Sequence, residues 1–146
     1  MYEYKATLVK VVDGDTVDVD LDLGFSIVLS NQRIRLYGID TPESRTRDPE
    51  EKKCGKLAGQ YLIDNLGTEF VVKTHKDDAR GKYGRILGEL MAYSPEKDAV
   101  VSLNREMIEK KLAVAYFGQS KDDIEAEHLT NREYLYEQGL VSRPSE

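Results

Sequence analysis

Two stretches of alternating apolar and polar residues at the start of the chain constrain its fold most. From Tyr4 to Leu23 the two residue classes largely alternate, which is the period of half-buried strands. The alternation breaks at Asp13-Gly14-Asp15, a sequence typical of tight turns. The sequence therefore predicts two strands joined at this turn, with one apolar face formed by Ala6, Leu8, Val11, Val17, Val19 and Leu21.

The rest of the chain mixes short strands with helices. A third strand fits Gln32 to Tyr37, after a hairpin tip or loop from Asp22 to Asn31. The other predicted elements are a loop from Gly38 to Pro49, a helix over Glu50–Leu66, strands over Glu69–Thr74 and Ile86–Met91 separated by a charged loop from His75 to Lys82, a helix over Val101–Lys111, a short apolar segment over Leu112–Phe117 and a helix over Asp123–Gln138. Five short strands with interleaved helices predict a small, mainly β barrel of the α+β class, and the OB type is one such architecture.

Size, composition and charge limit the class of protein. The 146 residues suit a single domain over 1–146, and 40% hydrophobic with 33% charged residues suits a globular chain. No apolar run is long enough for a membrane span, and the N-terminal residues do not follow a signal-peptide pattern. With the lone Cys54, this slightly favours a cytoplasmic over a secreted protein, which we expect to be a monomer. The net charge of −6 argues mildly against a nucleic-acid partner, because such binders are usually basic.

Acidic residues follow two of the predicted strands. The Asp13-Gly14-Asp15 segment is either a plain hairpin turn or part of a site. The Asp40-Thr41-Pro42-Glu43 segment is either a turn with a capping residue or a functional cluster at a strand end. Hard divalent cations prefer oxygen ligands, and Asp15 and Asp40 would supply them from neighbouring strands.

Cationic and aromatic residues accompany these acids. Arg33 and Arg35 share one face of the third strand, as solvated residues or as site residues. The Asp78–Arg85 segment is either a solvated basic loop or a phosphate-binding loop, because glycines allow close backbone approach and arginine offers two parallel donors. Tyr116 lies in an apolar segment that favours the core, with a nucleotide-stacking role as the alternative.

The histidines and the cysteine do not have zinc-ligand spacing. We assign His75 to a loop and His128 to a helix surface, and Cys54 has no Cys or His close to it in the sequence. A zinc site is therefore not expected.

Taken together, these segments resemble the staphylococcal nuclease (thermonuclease) family. The resemblance rests on order and spacing from about Ala6 to Leu140, and it is carried by Val12-Asp13-Gly14-Asp15-Thr16-Val17, by Arg35 with Asp40-Thr41-Pro42-Glu43, by Lys82-Tyr83-Gly84-Arg85 and by Val114-Ala115-Tyr116. It implies an OB-type five-stranded β-barrel with three packed helices. It also implies calcium-dependent hydrolysis of single-stranded or loosened DNA and RNA, leaving 3′-phosphate ends.

The resemblance implies roles for individual residues. Asp15 and Asp40 would be carboxylate ligands of calcium, or of another divalent metal inside a cell, and Thr41 would add its backbone carbonyl. Glu43 would be a catalytic residue beside the metal-bound water. The remaining roles concern the substrate: Arg35 and Arg85 would hold the scissile phosphate, Lys82 and Tyr83 a terminal phosphate, and Tyr116 a base or sugar.

The chain also departs from the family pattern. The stretch from Thr16 to Arg35 is longer, Gly118 stands where a second tyrosine is expected, and the chain is acidic. Two alternatives to an enzyme are a catalytically silent OB-type module that binds nucleic acid or protein, and a structural domain stabilised by a metal. The joint presence of the acids and the two arginines, Arg35 and Arg85, favours the enzyme.

Overall fold

A computed structural model describes residues 2–75 and 86–145 of the chain. These residues form eight strands and three helices. In chain order they are β1 (Glu3–Asp13), β2 (Thr16–Asp22), β3 (Val28–Leu36), β4 (Ile39–Asp40), α1 (Pro49–Leu66), β5 (Glu69–Thr74), β6 (Ile86–Ser94), β7 (Ala99–Ser102), α2 (Leu103–Glu109), β8 (Val114–Ala115) and α3 (Lys121–Glu137).

Five of the strands close into a barrel. The antiparallel sheet runs β3-β2-β1-β5-β6, and a parallel pairing of β3 with β6 joins its two ends. The closure pairs Ile34 with Ile86 and Leu36 with Gly88. This confirms the predicted α+β, mainly β fold, a five-stranded OB-type barrel with three helices. β7 extends the sheet beyond β6, and β4 and β8 form a separate two-stranded ribbon.

The alternation in the sequence builds the core of the barrel. Val17 and Val19 of β2 and Ile34 of β3 are fully buried, and their polar neighbours in sequence point away from them. At the closure, a Cβ atom on Gly88 would lie 2.9 Å from Val72 Cγ1 and 3.0 Å from Ile34 Cγ2. Because contacts that short do not occur, the close approach of β3 to β6 depends on glycine at this position.

Side-chain caps set where the helices begin. The carboxylate of Asp48 accepts hydrogen bonds from the amides of Glu50 and Glu51, and Pro49 occupies the first turn of α1. α1 buries one face at helical spacing, through Cys54, Ala58, Leu62 and Leu66. Ser102 and Ser120 cap α2 and α3 in the same way.

Several predicted boundaries were wrong. β3 begins at Val28, so the tip of its hairpin spans residues 23–27 instead of reaching Asn31, with Phe25 98% exposed. β6 continues to Ser94, and α2 begins after a strand that ends at Ser102, the residue that caps it. The ribbon of β4 and β8 lies partly in the predicted loop from Gly38 to Pro49. None of the helices in residues 2–75 and 86–145 has the length and apolarity needed to cross a membrane.

Candidate active site

The first turn and the end of β3 lie side by side because their strands are paired. Thr16 of β2 pairs with Arg35 of β3, and the amide of Leu36 donates to the backbone oxygen of Asp15 over 2.8 Å. β4 follows β3 after a two-residue turn and ends at Asp40. The barrel therefore brings Asp15, Arg35 and Asp40 to one place.

Arg35 lies between the two carboxylates. Its Nη2 atom is 3.5 Å from Oδ2 of Asp15 and 3.7 Å from Oδ1 of Asp40, while Nη1 donates to the backbone oxygen of Leu36 over 2.9 Å. The Nη2 contacts are longer than ordinary charge-assisted hydrogen bonds. The guanidinium is thus held in place by Leu36 without being fully engaged by either acid.

Close packing explains the glycine of the first turn. Gly14 does not have a positive φ, so the turn does not require glycine for its backbone conformation. A Cβ atom at Gly14 would lie 2.7 Å from Ala58 Cβ and 3.0 Å from Thr41 Oγ1. The Asp13-Gly14-Asp15 segment is therefore packed against α1 and Thr41, which a plain exposed hairpin turn would not be.

Thr41 connects the turn to the segment after β4. It is 4% exposed, and its amide donates to Oδ2 of Asp15 over 3.4 Å. Its Oγ1 atom is buried and has no hydrogen-bond partner among the described residues. A buried hydroxyl of this kind fits a site that a water molecule or an ion completes.

Glu43 faces the same acids from the loop before α1. Burial raises the pKa of the Glu43 carboxyl, and the nearby charges of Asp13, Asp15, Glu51 and Asp40 raise it further. The backbone amide of Glu43 donates to Oε2 of Glu51 over 3.0 Å. Its raised pKa makes Glu43 a better proton acceptor near neutral pH than an ordinary glutamate.

His128 is a residue of the site that sequence reasoning missed. The assignment to a helix surface was wrong: its side chain is 15% exposed, and Nε2 lies 2.7 Å from Oδ2 of Asp40. A cavity of about 280 Å³ is lined by His128 together with Asp40, Thr41 and Glu43. The signal was available, because Ile124, His128 and Leu135 recur at helical spacing on one face of α3.

The other predicted site residues divide into two groups. Tyr116 is 46% exposed, and its amide donates to the backbone oxygen of Gly38, which places it at the Gly38 end of the β4–β8 ribbon, whereas Asp40 pairs with Val114 at the other end. Lys82, Tyr83 and Arg85 lie outside the described residues.

The donor atoms fit a hard divalent cation. Asp15 and Asp40 offer carboxylate oxygens, and Thr41, whose amide donates to Asp15, is the residue whose backbone carbonyl would join them. Within the part of the chain that the structure describes, no three His, Cys, Asp or Glu side chains converge as a metal-binding group. Two carboxylates completed by carbonyl, water and substrate oxygens suit Ca²⁺ or Mg²⁺, and they do not suit the nitrogen and sulfur ligands typical of zinc.

Comparison with known proteins identifies the family of this fold and site. The model of the family described as "Staphylococcal nuclease homologue" matches residues 33–136, which include Arg35, Asp40, Thr41, Glu43 and His128. The chain belongs to the staphylococcal nuclease family. Asp15 lies ahead of the matched residues, and the structure brings it to the others.

Individual relatives are about 30% identical to this chain. A thermonuclease of Staphylococcus intermedius is 30% identical over 77% of this chain and 56% of its own length. A micrococcal nuclease of Shigella flexneri is 31% identical over 98% of this chain and 76% of its own length. Protein ParB of Escherichia coli is 32% identical over 78% of this chain and 58% of its own length. The chain thus spans little more than half the length of several curated relatives that it matches.

Proposed function

We propose that this chain is a calcium-dependent phosphodiesterase that hydrolyses DNA or RNA, prefers single-stranded substrate and leaves 3′-phosphate ends. The observation that carries the proposal is the position of Arg35 between Asp15 and Asp40, beside a cavity that Glu43 lines. Relatives named thermonuclease and micrococcal nuclease support the same reaction class.

Calcium would be held by Asp15, Asp40 and the backbone carbonyl of Thr41. When bound, such an ion polarises a phosphoryl oxygen and lowers the pKa of a bound water. Asp15 lies in the turn between β1 and β2 and Asp40 ends β4, so the folded barrel presents the two carboxylates together without local rearrangement. The remaining coordination positions of the ion would be filled by water and by oxygens of the substrate.

Arg35 would donate to the phosphate that is being cleaved. Its long contacts with the two acids leave N–H groups of Nη2 free to turn towards a substrate oxygen, while Leu36 keeps the guanidinium in place. Such a preorganised donor stabilises the negative charge that builds on the phosphoryl oxygens in the transition state. Arg85 would be the second donor, on the evidence of sequence alone.

Glu43 would accept a proton from the attacking water. Burial and the surrounding acids raise its pKa, which brings its basicity closer to the operating pH. Around this centre, Lys82 and Tyr83 would contact a terminal phosphate, and Tyr116, which is half-exposed beside Gly38, would pack on a base or sugar.

The decisive experiment is an assay on denatured DNA with calcium, compared with the same reaction in excess chelator. We expect cleavage that the chelator abolishes, and 3′-phosphate termini on the products. Arg35→Ala should lower turnover by about a hundredfold or more, because one preorganised donor to the transition state is lost.

The matched control is Arg33→Ala, on the same strand. Arg33 is bound to Asp18 over 2.9 Å and 3.1 Å and makes no described contact with Asp15 or Asp40, so turnover per folded molecule should stay near wild type. Thermal unfolding of both variants sets an assay temperature at which each is folded. Absence of cleavage by the wild type with calcium, magnesium or manganese would favour the catalytically silent binding module instead.

A further inference from the structure

The peptide between Glu43 and Ser44 rests directly on helix α1. A Cβ atom on Gly55 would lie 2.5 Å from the backbone oxygen of Glu43, 2.6 Å from its carbonyl carbon and 2.7 Å from the nitrogen of Ser44. All three obstacles are backbone atoms, which cannot swing aside as the end of a flexible side chain can. Any residue larger than glycine at position 55 must therefore displace the loop or the helix.

The same peptide segment is held by a second residue of the helix. The amide of Glu43 donates to Oε2 of Glu51 over 3.0 Å. Glu51 and Gly55 are four residues apart, so they lie on the same face of α1, one turn above the other. The amide and the carbonyl of Glu43 are thus both fixed by one face of one helix.

Helix α1 is itself held in place by its N-terminal cap and by its packing on the core. The Asp48 cap fixes its first turn, and Cys54, Ala58 and Leu62, on the same side as Gly55, are buried in the core. Gly59, one turn beyond Gly55, meets nothing closer than Val11 Cγ1 at 3.9 Å. Packing of α1 on the barrel therefore tolerates a side chain at position 59, whereas the Glu43 loop does not tolerate one at position 55.

We propose that Gly55 and Glu51 are positioning residues. By fixing the backbone of Glu43, they hold its carboxylate in place at the proposed active site. The inference rests on the proposed function, in which Glu43 accepts the proton of the attacking water. A reacting group that is misplaced by about 1 Å can lose about a hundredfold in rate. Asp15 lies in the turn between β1 and β2 and Asp40 ends β4, so the positions of these two carboxylates are set by the barrel and not by this contact.

The first test compares two alanine substitutions in the same helix. Gly55→Ala should lower kcat by about a hundredfold, with KM and the calcium affinity measured by calorimetry within a factor of about three of wild type. Gly59→Ala should keep wild-type kcat and raise the unfolding midpoint by about 1–4 °C, because alanine restricts the unfolded chain without a clash. Equal kcat in the two variants would overturn the proposal.

A second pair of variants covers the case in which Gly55→Ala does not fold. Glu51→Ala removes the acceptor of the Glu43 amide, and kcat should fall at least tenfold. Glu51→Gln keeps a side-chain oxygen that can accept the same hydrogen bond, so it should restore most of the activity that Glu51→Ala loses. Equal losses of kcat in Glu51→Ala and Glu51→Gln would contradict the positioning role, because glutamine keeps an acceptor for the Glu43 amide and alanine does not.

The chemical shift of the Glu43 amide separates this proposal from the proposed function. In ¹⁵N-labelled protein it should move in Gly55→Ala and Glu51→Ala and stay in place in Gly59→Ala, whether or not the chain cleaves DNA. If the wild type does not cleave DNA, the proposed function is wrong. The shift of the Glu43 amide then still tests whether α1 positions the Glu43 loop. An unmoved Glu43 amide in all variants would overturn the positioning of the loop by α1.

Discussion

Arg33 and Arg35 lie two residues apart on β3, and their guanidinium groups are held differently. Arg33 makes a two-point contact with Asp18, and this hydrogen bond is the main cause of the lowered pKa of the Asp18 carboxyl. Arg35 is anchored by the backbone of Leu36 and makes only long contacts with its acids. The first arginine ties two strands of the sheet together, and the second is the one that would donate to a phosphate in the proposed function.

His128 extends the site to α3. Its Nε2 atom lies within hydrogen-bond distance of Asp40, and its Nδ1 atom is buried without a partner among the described residues. Since Nε2 faces a carboxylate, it is the nitrogen that carries the hydrogen and donates. The bond fixes one oxygen of Asp40 and leaves the other, Oδ1, facing Arg35.

Replacing His128 should therefore weaken the binding of calcium. His128→Ala should raise the dissociation constant for calcium by about 10- to 100-fold, as expected when a hydrogen-bond partner of a metal ligand is lost. Isothermal titration calorimetry measures this without reference to activity. Thr130→Ala, an exposed change on the same helix, is the control and should bind as wild type does. An unchanged dissociation constant in His128→Ala would remove His128 from the site.

At the scale of elements, the sequence predicts the longer strands and helices well and the two-residue strands poorly. The bounds of β5 are as predicted, and α1 differs by one residue at its start, because local periodicity and end signals define both. The ribbon of β4 and β8 was missed. It has two residues per strand and pairs Ile39 with Ala115, so no local pattern reveals it.

Glu89 of β6 links its strand to the residue after β5 and to α2. It is buried, and it contacts His75 after β5 over 3.0 Å and Arg105 of α2 over 3.4 Å. Burial alone would raise its pKa, but hydrogen bonds from Ser102 and His75 and the charge of Arg105 outweigh burial and lower the pKa below the ordinary 4.5. His75 also stacks on Tyr37, with ring centroids 4.3 Å apart.

The lowered pKa of Glu89 predicts a specific loss of stability in acid. The native state gains this stabilisation at pH values above the ordinary pKa and loses it as the pH falls through the native pKa. Glu89→Gln should have a lower free energy of unfolding than wild type at pH 7, and the difference should narrow towards about pH 3. Urea unfolding at several pH values measures it. Glu3→Gln, at an exposed position, is the control. A difference in the free energy of unfolding between Glu89→Gln and wild type that stays constant with pH would contradict the prediction.

At the scale of the whole molecule, barrel closure is what sequence patterns could not supply. The parallel pairing of β3 with β6 joins Ile34 to Ile86, residues that are far apart in the chain. Alternation predicted the strands but not their neighbours: five short strands with interleaved helices suggested a small barrel, and the family resemblance implied the OB type. The site depends on the same closure, because Arg35 lies at the end of β3 where the barrel is completed, and Asp40 follows on β4.

Because the ligands of the proposed metal come together only in the folded barrel, calcium should stabilise the whole molecule. A ligand that binds the native state alone adds about 2.7 kcal/mol at one hundred times its dissociation constant. For a chain of this size, that corresponds to a rise in Tm of about 5–10 °C. Thermal unfolding at increasing calcium chloride concentrations, compared with unfolding in excess chelator, measures this rise in Tm. Asp40→Asn should abolish most of the rise, since it removes the charge of one ligand, while Asp64→Asn, at an exposed position of α1, should keep it. A rise of equal size in Asp40→Asn would mean that calcium binds elsewhere on the barrel.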